Sequence, residues 1–577
     1  MAANASGISA PPRRILLGIS ILQALALGWL LLAYARGSWP SETPLAAFPI
    51  WTVVVMLPLL FLLALKRGNG RRMLLGAAVA IAVLLLTALY VGWQATPWGE
   101  FELESLAFVY VVTMSLACFK GLMYLQRYSD RQPFDYSSLF RNSWRNFLVL
   151  CLSAVFTVLF WVLVRLWGEL FELIGIDQFS RLFRMDWFII PVLTIAFGRA
   201  VVIFRELTRV IDAITRLLSG LIRLLLPMVV AVAVLFLIAL LFVGLDTLWS
   251  TGQGTRLLLW LLAAMLFFAN AVYQDGTEAM PYPKAVHRFI YGGLCVTPVL
   301  GALALHGLAE RIGQYGWTIE RSWAVVAWSF LMLFSLGYVW GIVRRRDGWT
   351  RELARVNTLM GVVVAVVMLL ANSPVLDFRR ISLASQVARV ERGEIEAEAL
   401  DFAYIRRNLA RPGHLLIAEP EQSDIELAPA TQRAIAAAVL DAGASALRLS
   451  RDEMRARFWR EMTYRPEPFE VPPGLRSRID AAFTGPETKT ALIRIDLNGD
   501  EQPEYVLVQQ SGDDVWATWF RYVRGEWLIG LMQSSLPEGP IDFESAPIEV
   551  GDPEFRNLEI GGLVLQPAQP PRPLKLD

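Results

Sequence analysis

The chain has 577 residues, of which 55% are hydrophobic and only 18% charged, with a formal net charge of +1 and a mean hydropathy of +0.46. A soluble protein of average composition carries about 25% charged residues and no repeated apolar runs of about 20, so a wholly soluble chain is excluded. The near-neutral total combines a membrane-like stretch ending near Ala371 with a soluble-like remainder, and it gives no support to nucleic-acid binding.

Runs long enough to cross about 30 Å of hydrocarbon begin with Ile15–Ala35, Phe48–Leu65, Met73–Trp93, Leu106–Leu125, Phe147–Val164 and Trp187–Phe204. Leu224–Leu245, Leu257–Tyr273, Phe289–Leu308, Trp323–Val343 and Val356–Ala371 complete a set of eleven. Helices are expected, because lipid offers no partner to an unpaired backbone group. Ala33-Tyr34-Ala35 resembles a signal-peptide cleavage site. The first run is nevertheless longer than a signal core of about 7–15 residues, so an uncleaved anchor is expected. Trp93, Trp144, Trp187, Trp249, Trp323 and Trp349 stand at predicted boundaries, where aromatic rings are expected to anchor in the headgroup zone.

Basic residues crowd the N-terminal flank and every second gap. They are Arg13 and Arg14; Lys66, Arg67, Arg71 and Arg72; Arg127, Arg131, Arg141 and Arg145; Arg205, Arg209, Arg216 and Arg223; Lys284 and Arg288; and Arg344, Arg345, Arg346, Arg351 and Arg355. These 21 stand against 7 in the intervening gaps: Arg36, Arg165, Arg181, Arg184, Arg256, Arg311 and Arg321. The gap after the third run adds Glu100, Glu102 and Glu104. The bias predicts a cytoplasmic N-terminus and, with an odd number of spans, an extracytoplasmic location for everything after Ala371. Within the basic set, 205–223 has an amphipathic helical pattern. It fits a helix on the cytoplasmic leaflet, with its arginines near anionic membrane lipids. An extension of the sixth span packed on its neighbours fits as well, and Pro227 is expected to mark the start of the seventh.

Ionisable or polar residues inside spans are costly and point to function. The candidates are Lys120, Arg199, Asn270, Asp275 and His306. Lys120 and Arg199 have stems long enough to snorkel to the interface. Pro58 and Pro298 could break the second and ninth spans. Cys118, Cys151 and Cys295 all lie in apolar runs, so the polar third cannot hold a disulfide, and buried inert thiols are expected.

After Asn372-Ser373-Pro374 the pattern predicts helices over Ile381–Arg392, stopped by Gly393, and over Ile395–Ala410, stopped by Pro412-Gly413. Thr431–Asp441 and Asp452–Met462 are further helix candidates. Strands are predicted at Ala491–Asp496, Glu504–Gln510, Val515–Tyr522 and Glu526–Met532, the last two as a hairpin about Arg524-Gly525. The loop joining the first two strands carries Asp496, Asn498, Asp500 and Glu504 at positions 1, 3, 5 and 9, a spacing by which oxygen side chains wrap calcium. It is not an EF-hand, since Glu501 and Leu507 occupy positions 6 and 12, and an Asn-Gly turn with solvated acids explains the same residues. No catalytic nucleophile constellation is visible.

Asp377-Phe378-Arg379-Arg380-Ile381-Ser382, followed by Ser385-Gln386-Val387-Ala388-Arg389, Gly393, Asp401-Phe402 and Tyr404-Ile405-Arg406-Arg407, resembles the family of bacterial membrane proteins catalogued as domain of unknown function 4153. The resemblance extends to the preceding spans and to Asp-Leu-Asn-Gly-Asp, and it implies a bacterial inner-membrane protein with no established activity. The expected fold is an all-α polytopic membrane bundle of about 11 transmembrane helices (1–372), followed by an α+β extracytoplasmic domain (373–565) and a Pro-rich tail (566–577). The expected role is a non-enzymatic scaffold or sensor whose outer domain binds an envelope protein or component. The alternative is a transporter or flippase-like bundle. An enzyme acting on a lipid-linked substrate ranks third, because Glu100–Glu104 has no convincing partner.

Overall fold

The computed structural model describes residues 13–66, 68–97, 103–250, 253–273, 281–419, 423, 425, 427–441, 458–460, 462–466, 469–481, 489–497, 499, 502–511, 514–523, 526–532, 558–560 and 563–565. Eleven helical spans among them are long and apolar enough to cross a membrane, and each overlaps one predicted run. In chain order the helices are α1 (Arg13–Ala35), α2 (Pro44–Ala64), α3 (Gly70–Gln94), α4 (Leu103–Ser129) and α5 (Tyr136–Leu173). The short α6 (Gln178–Arg184) precedes α7 (Asp186–Glu206) and α8 (Thr208–Val243), and the six-residue α9 (Leu245–Ser250) precedes α10 (Gly254–Tyr273). The ninth span is two pieces, α11 (Lys284–Leu294) and α12 (Thr297–Tyr315), followed by α13 (Ile319–Arg345) and α14 (Thr350–Leu370).

Among the described residues, the two largest of several apolar cores in the bundle draw on most of its helices. One gathers Leu16, Leu62, Met73, Leu122, Val149, Val201 and Ile211 from α1–α5, α7 and the start of α8. The other gathers Val230, Leu262, Leu294, Leu300, Tyr338 and Leu353 from α8 and α10–α14. Small residues permit close crossings. A Cβ on Gly198 of α7 would overlap the Ser20 hydroxyl of α1, the kind of approach that membrane helices make in place of hydrophobic burial. Trp349 is fully buried in the second core, edge-on to Tyr273 at 5.2 Å. It is therefore a packing residue and not the headgroup anchor expected from its place at a boundary. Cys118 and Cys295 are half-buried, and Cys151 is exposed on α5 instead of buried.

Prolines inside membrane helices leave the carbonyl four residues earlier without its N–H donor. Here side chains replace three such donors. Pro58 lies inside α2, and Gln23 Nε2 of α1 donates to the Val54 carbonyl at 3.1 Å. Pro227 lies inside α8, and Tyr282 Oη donates to the Arg223 carbonyl at 2.6 Å. Pro298 opens α12, and Thr297 Oγ1 donates to the Leu294 carbonyl at 2.7 Å. Of the two breaks expected from sequence, Pro298 thus interrupts its span while Pro58 does not.

The same requirement governs the end of α2, where the helix runs out of backbone donors for its last carbonyls. The Leu65 N–H closes the turn onto Phe61. Beyond it, Arg205 donates to Leu62, Gln126 Nε2 to Leu63 and Asn69 Nδ2 to Ala64.

Helix α5 opens at Tyr136, well before the predicted run at Phe147, because the Asp135 side chain caps it by accepting from Ser138 N–H. At 38 and 36 residues, α5 and α8 reach about 54–57 Å, so both extend well past a hydrocarbon core. The amphipathic segment 205–223 is mostly the first half of α8, parted from α7 at Leu207. It is thus continuous with the seventh span, through Pro227, and is neither a separate surface helix nor an extension of the sixth.

The chain divides into two units at Leu447 and Arg448, so the first helices after the spans group with the bundle instead of separating at residue 372. They are α15 (Phe378–Glu391), α16 (Phe402–Asn408), α17 (Ala410–Ala418) and α18 (Pro429–Asp441). Gly393, at φ +69°, ends the turn after α15 as expected. The helix expected over Ile395–Ala410 forms only from Phe402, where the Asp401 side chain caps it by accepting from Tyr404 N–H at 2.8 Å. Pro412 and Gly413 do not stop a helix; they lie in the first turn of α17, where proline lacks no needed donor. A Cβ on Gly413 would overlap the Ile405 carbonyl, so only glycine lets α17 cross α16 there.

The second unit holds α19 (Pro473–Ala481) and a five-stranded sheet in the order β1 (Thr463–Arg465), β2 (Lys489–Ile495), β3 (Glu504–Ser511), β4 (Asp514–Val523) and β5 (Glu526–Met532). All four predicted strands are present, and β4 and β5 pair antiparallel up to Val523–Glu526. The tip residues Arg524 and Gly525 lie outside the described residues, as do most of Asp452–Met462 and the whole 566–577 tail. The short β1, parallel to β2, was not expected. Leu492, Leu507, Tyr505 and Phe520 pack with Leu475 and Ile479 of α19. A separate hairpin joins β6 (Leu558–Ile560) and β7 (Leu563–Leu565).

Replacing Gln23 by Leu leaves the Val54 carbonyl unpaired and is expected to cost about 1–3 kcal/mol. Adding Pro58→Ala restores the backbone donor, so the double variant is expected to recover much of the loss in a thermal-unfolding cycle in detergent.

Candidate functional site

A buried polar cluster forms where the chain leaves α14. Asp377 caps α15, its Oδ1 accepting from Arg379 N–H at 2.9 Å. Its Oδ2 accepts from Tyr90 Oη of α3 at 2.6 Å and from Gln94 Nε2. The Arg379 guanidinium stands 3.5 Å from Oδ1. Asp377 is 3% exposed and Arg379 8%, so charge neutralisation is local. Burial pushes the Arg379 guanidinium down from its usual range, and the Asp377 charge opposes that shift. Phe378 packs edge-on against Trp323 at 4.9 Å.

One face of α15 then serves the end of α12. Ser382 Oγ donates to Trp317 O at 3.1 Å, and Ser385 Oγ accepts from Trp317 N–H at 3.0 Å. Gln386 Nε2 donates to Tyr315 O at 3.1 Å, and Arg389 Nη2 to Gln314 O at 3.0 Å. Positions 382, 385, 386 and 389 follow the spacing that places side chains on one helical face. Tyr404 Oη accepts from Ile319 N–H at 3.0 Å, and burial raises its phenol above the usual range. Arg411 lies 5.0 Å over the Trp93 ring. Together these contacts form a latch that joins α15 and α16 to the spans. Its polar groups are spent on joining segments, and these contacts contain no nucleophile–base pair.

Among the described residues, Lys120, Arg199, Asn270 and His306 do not come together in one site. Asn270 joins a hydrogen-bonded cluster that the sequence did not reveal. Tyr136 donates to Asn270 Oδ1 at 2.6 Å, Asn357 Nδ2 to Asn270 Oδ1 at 2.7 Å, and Tyr338 to Asn357 Oδ1 at 2.6 Å. Asn357, a lone amide in the apolar pattern of α14, was the available signal. Lys120 is half-buried on α4, Arg199 is exposed on α7 and His306 is exposed on α12, with His306 edge-on to Trp249 at 5.8 Å. Asp275 lies outside the described residues.

In the strand loop, Asn498 and Asp500 lie outside the described residues. Asp496 Oδ1 accepts from Gly499 N–H at 2.7 Å, with Gly499 at φ +75°. Glu504 Oε2 accepts from Leu497 N–H at 2.9 Å, and its Oε1 pairs with Arg521 Nε at 3.2 Å. The two described oxygen residues thus brace the β2–β3 turn. Among the described residues no group of three or more His, Cys, Asp or Glu side chains is placed to hold a metal.

The family described as Domain of unknown function (DUF4153) matches residues 51–419, which spans α2 to α17 and includes the latch. Comparison with curated proteins and with solved structures gives no match.

Asp377→Ala leaves Arg379 buried beside Tyr90 without its counter-charge and is expected to cost about 3–5 kcal/mol. Limited proteolysis of the detergent-solubilised variant is expected to show faster cleavage within α15. Glu504→Gln is expected to lower the melting temperature of the second unit in EDTA as well as in calcium, because the Glu504 carboxylate bonds both Leu497 N–H and Arg521.

Proposed function

This chain belongs to the domain of unknown function 4153 family, and on that premise we propose that it is a non-enzymatic multi-pass protein of the bacterial inner membrane. In this reading the bundle is a platform, and the region after α14 engages a partner or envelope component outside the cytoplasm. The observation that carries it is the latch. Asp377, Ser382, Ser385, Gln386, Arg389 and Tyr404 spend their polar atoms holding α15 and α16 to the bundle. The 21-to-7 basic bias supports a cytoplasmic N-terminus and an extracytoplasmic region beyond α14. Calcium binding by the Asp496–Glu504 loop is part of the same proposal, and it requires a calcium-dependent rise in melting temperature of the full-length protein that Asp496→Asn removes.

The transporter alternative draws on the interrupted ninth span and the Asn270–Asn357 cluster. Complementation of a deletion strain separates the two. With membrane abundance matched, Asp377→Ala is expected to behave like the deletion and Asn357→Ala to complement. The reverse result would overturn the platform reading.

A further inference from the structure

Where α2, α4 and α7 end and α3 and α5 begin, the bundle opens a cleft of about 1590 Å³. Its described wall carries Lys66 and seven arginines against Asp130 as the one acidic side chain. Some of this charge is already engaged. Lys66 pairs with Asp130, Arg127 with Asp135 at 2.5 Å, and Arg205 and Arg145 donate to helix-end carbonyls. Arg71, Arg131 and Arg141 have no carboxylate partner among the described residues, and they line the same space. The first turn of α3 opens there too, and Asn69 does not cap it. Asn69 instead accepts from Lys66 N–H and donates to Ala64 O.

A topological bias toward basic gaps accounts for the number of these cations but not for their convergence on a concave site. A second feature adjoins it. An apolar groove of about 540 Å³ runs between α1, α2 and α3, lined by Leu22, Leu57, Phe61 and Leu74. It meets the cleft at the start of α3, where Gly70 and Leu74 line the groove and Arg71 and Leu75 line the cleft. Guanidinium groups bind phosphate oxygens in bidentate fashion, and an apolar groove open to lipid accepts hydrocarbon.

We propose that this end of the bundle holds an anionic phospholipid, with its phosphate among Arg71, Arg131 and Arg141 and an acyl chain in the α1–α2–α3 groove. Full-length protein in detergent is titrated with phosphatidylglycerol, phosphatidylcholine or glycerol phosphate, with binding read by native mass spectrometry and by melting temperature. Phosphatidylglycerol is expected to bind and stabilise selectively, and Arg71→Gln with Arg141→Gln to weaken it by about tenfold or more. Both side chains are exposed, so folding should survive, and the unliganded melting temperature checks this. Arg165→Gln, in the other half of α5, is expected to leave binding unchanged. Equal binding of phosphatidylcholine, equal stabilisation by glycerol phosphate, or equal weakening by Arg165→Gln would overturn the proposal.

Discussion

A backbone carbonyl that loses its helical donor in or near hydrocarbon needs another one, and this requirement organises the structure. The carbonyls freed by Pro58, Pro227 and Pro298 each take a side-chain donor: Val54 from Gln23, Arg223 from Tyr282 and Leu294 from Thr297. Helix ends follow the same rule. Arg205 and Gln126 complete α2, while Gln386 and Arg389 complete α12. Because most of these donors come from other segments, satisfying the backbone and assembling the tertiary fold are one process.

The two ends of the bundle solve the problem with different chemistry. At one end, basic side chains cap the carbonyls of α2 and α7 and leave surplus cations around a cleft. At the other, amides, hydroxyls and a buried ion pair bind α15 to α3 and to the end of α12. Helix α3 runs between them, with Arg71 and Arg72 of its first turn lining the cleft and Tyr90 and Gln94 near its other end reaching Asp377.

Much of the site was present in the sequence as residue identity but not as role. The run from Asp377 to Tyr404 stood out as a family motif, yet nothing in its spacing named Tyr90 or Trp317 as partners 287 and 68 residues away. Asn270 was legible as a polar residue in an apolar run, whereas its partners Tyr136, Asn357 and Tyr338 come from three other helices. The Asp496–Glu504 spacing suggested ligands, and only the backbone geometry revealed that Glu504 also braces a turn and pairs with Arg521.

Hydropathy and alternation by themselves determined the eleven spans and the four main strands, because apolar length and period-two patterning reflect local burial requirements. They also determined which gaps are basic. Tertiary structure decided where the long helices begin and end, whether each proline breaks its helix, and that the first helices after the spans join the bundle. Those outcomes depend on donors and packing surfaces supplied from distant parts of the chain, and local sequence carries no record of that distance.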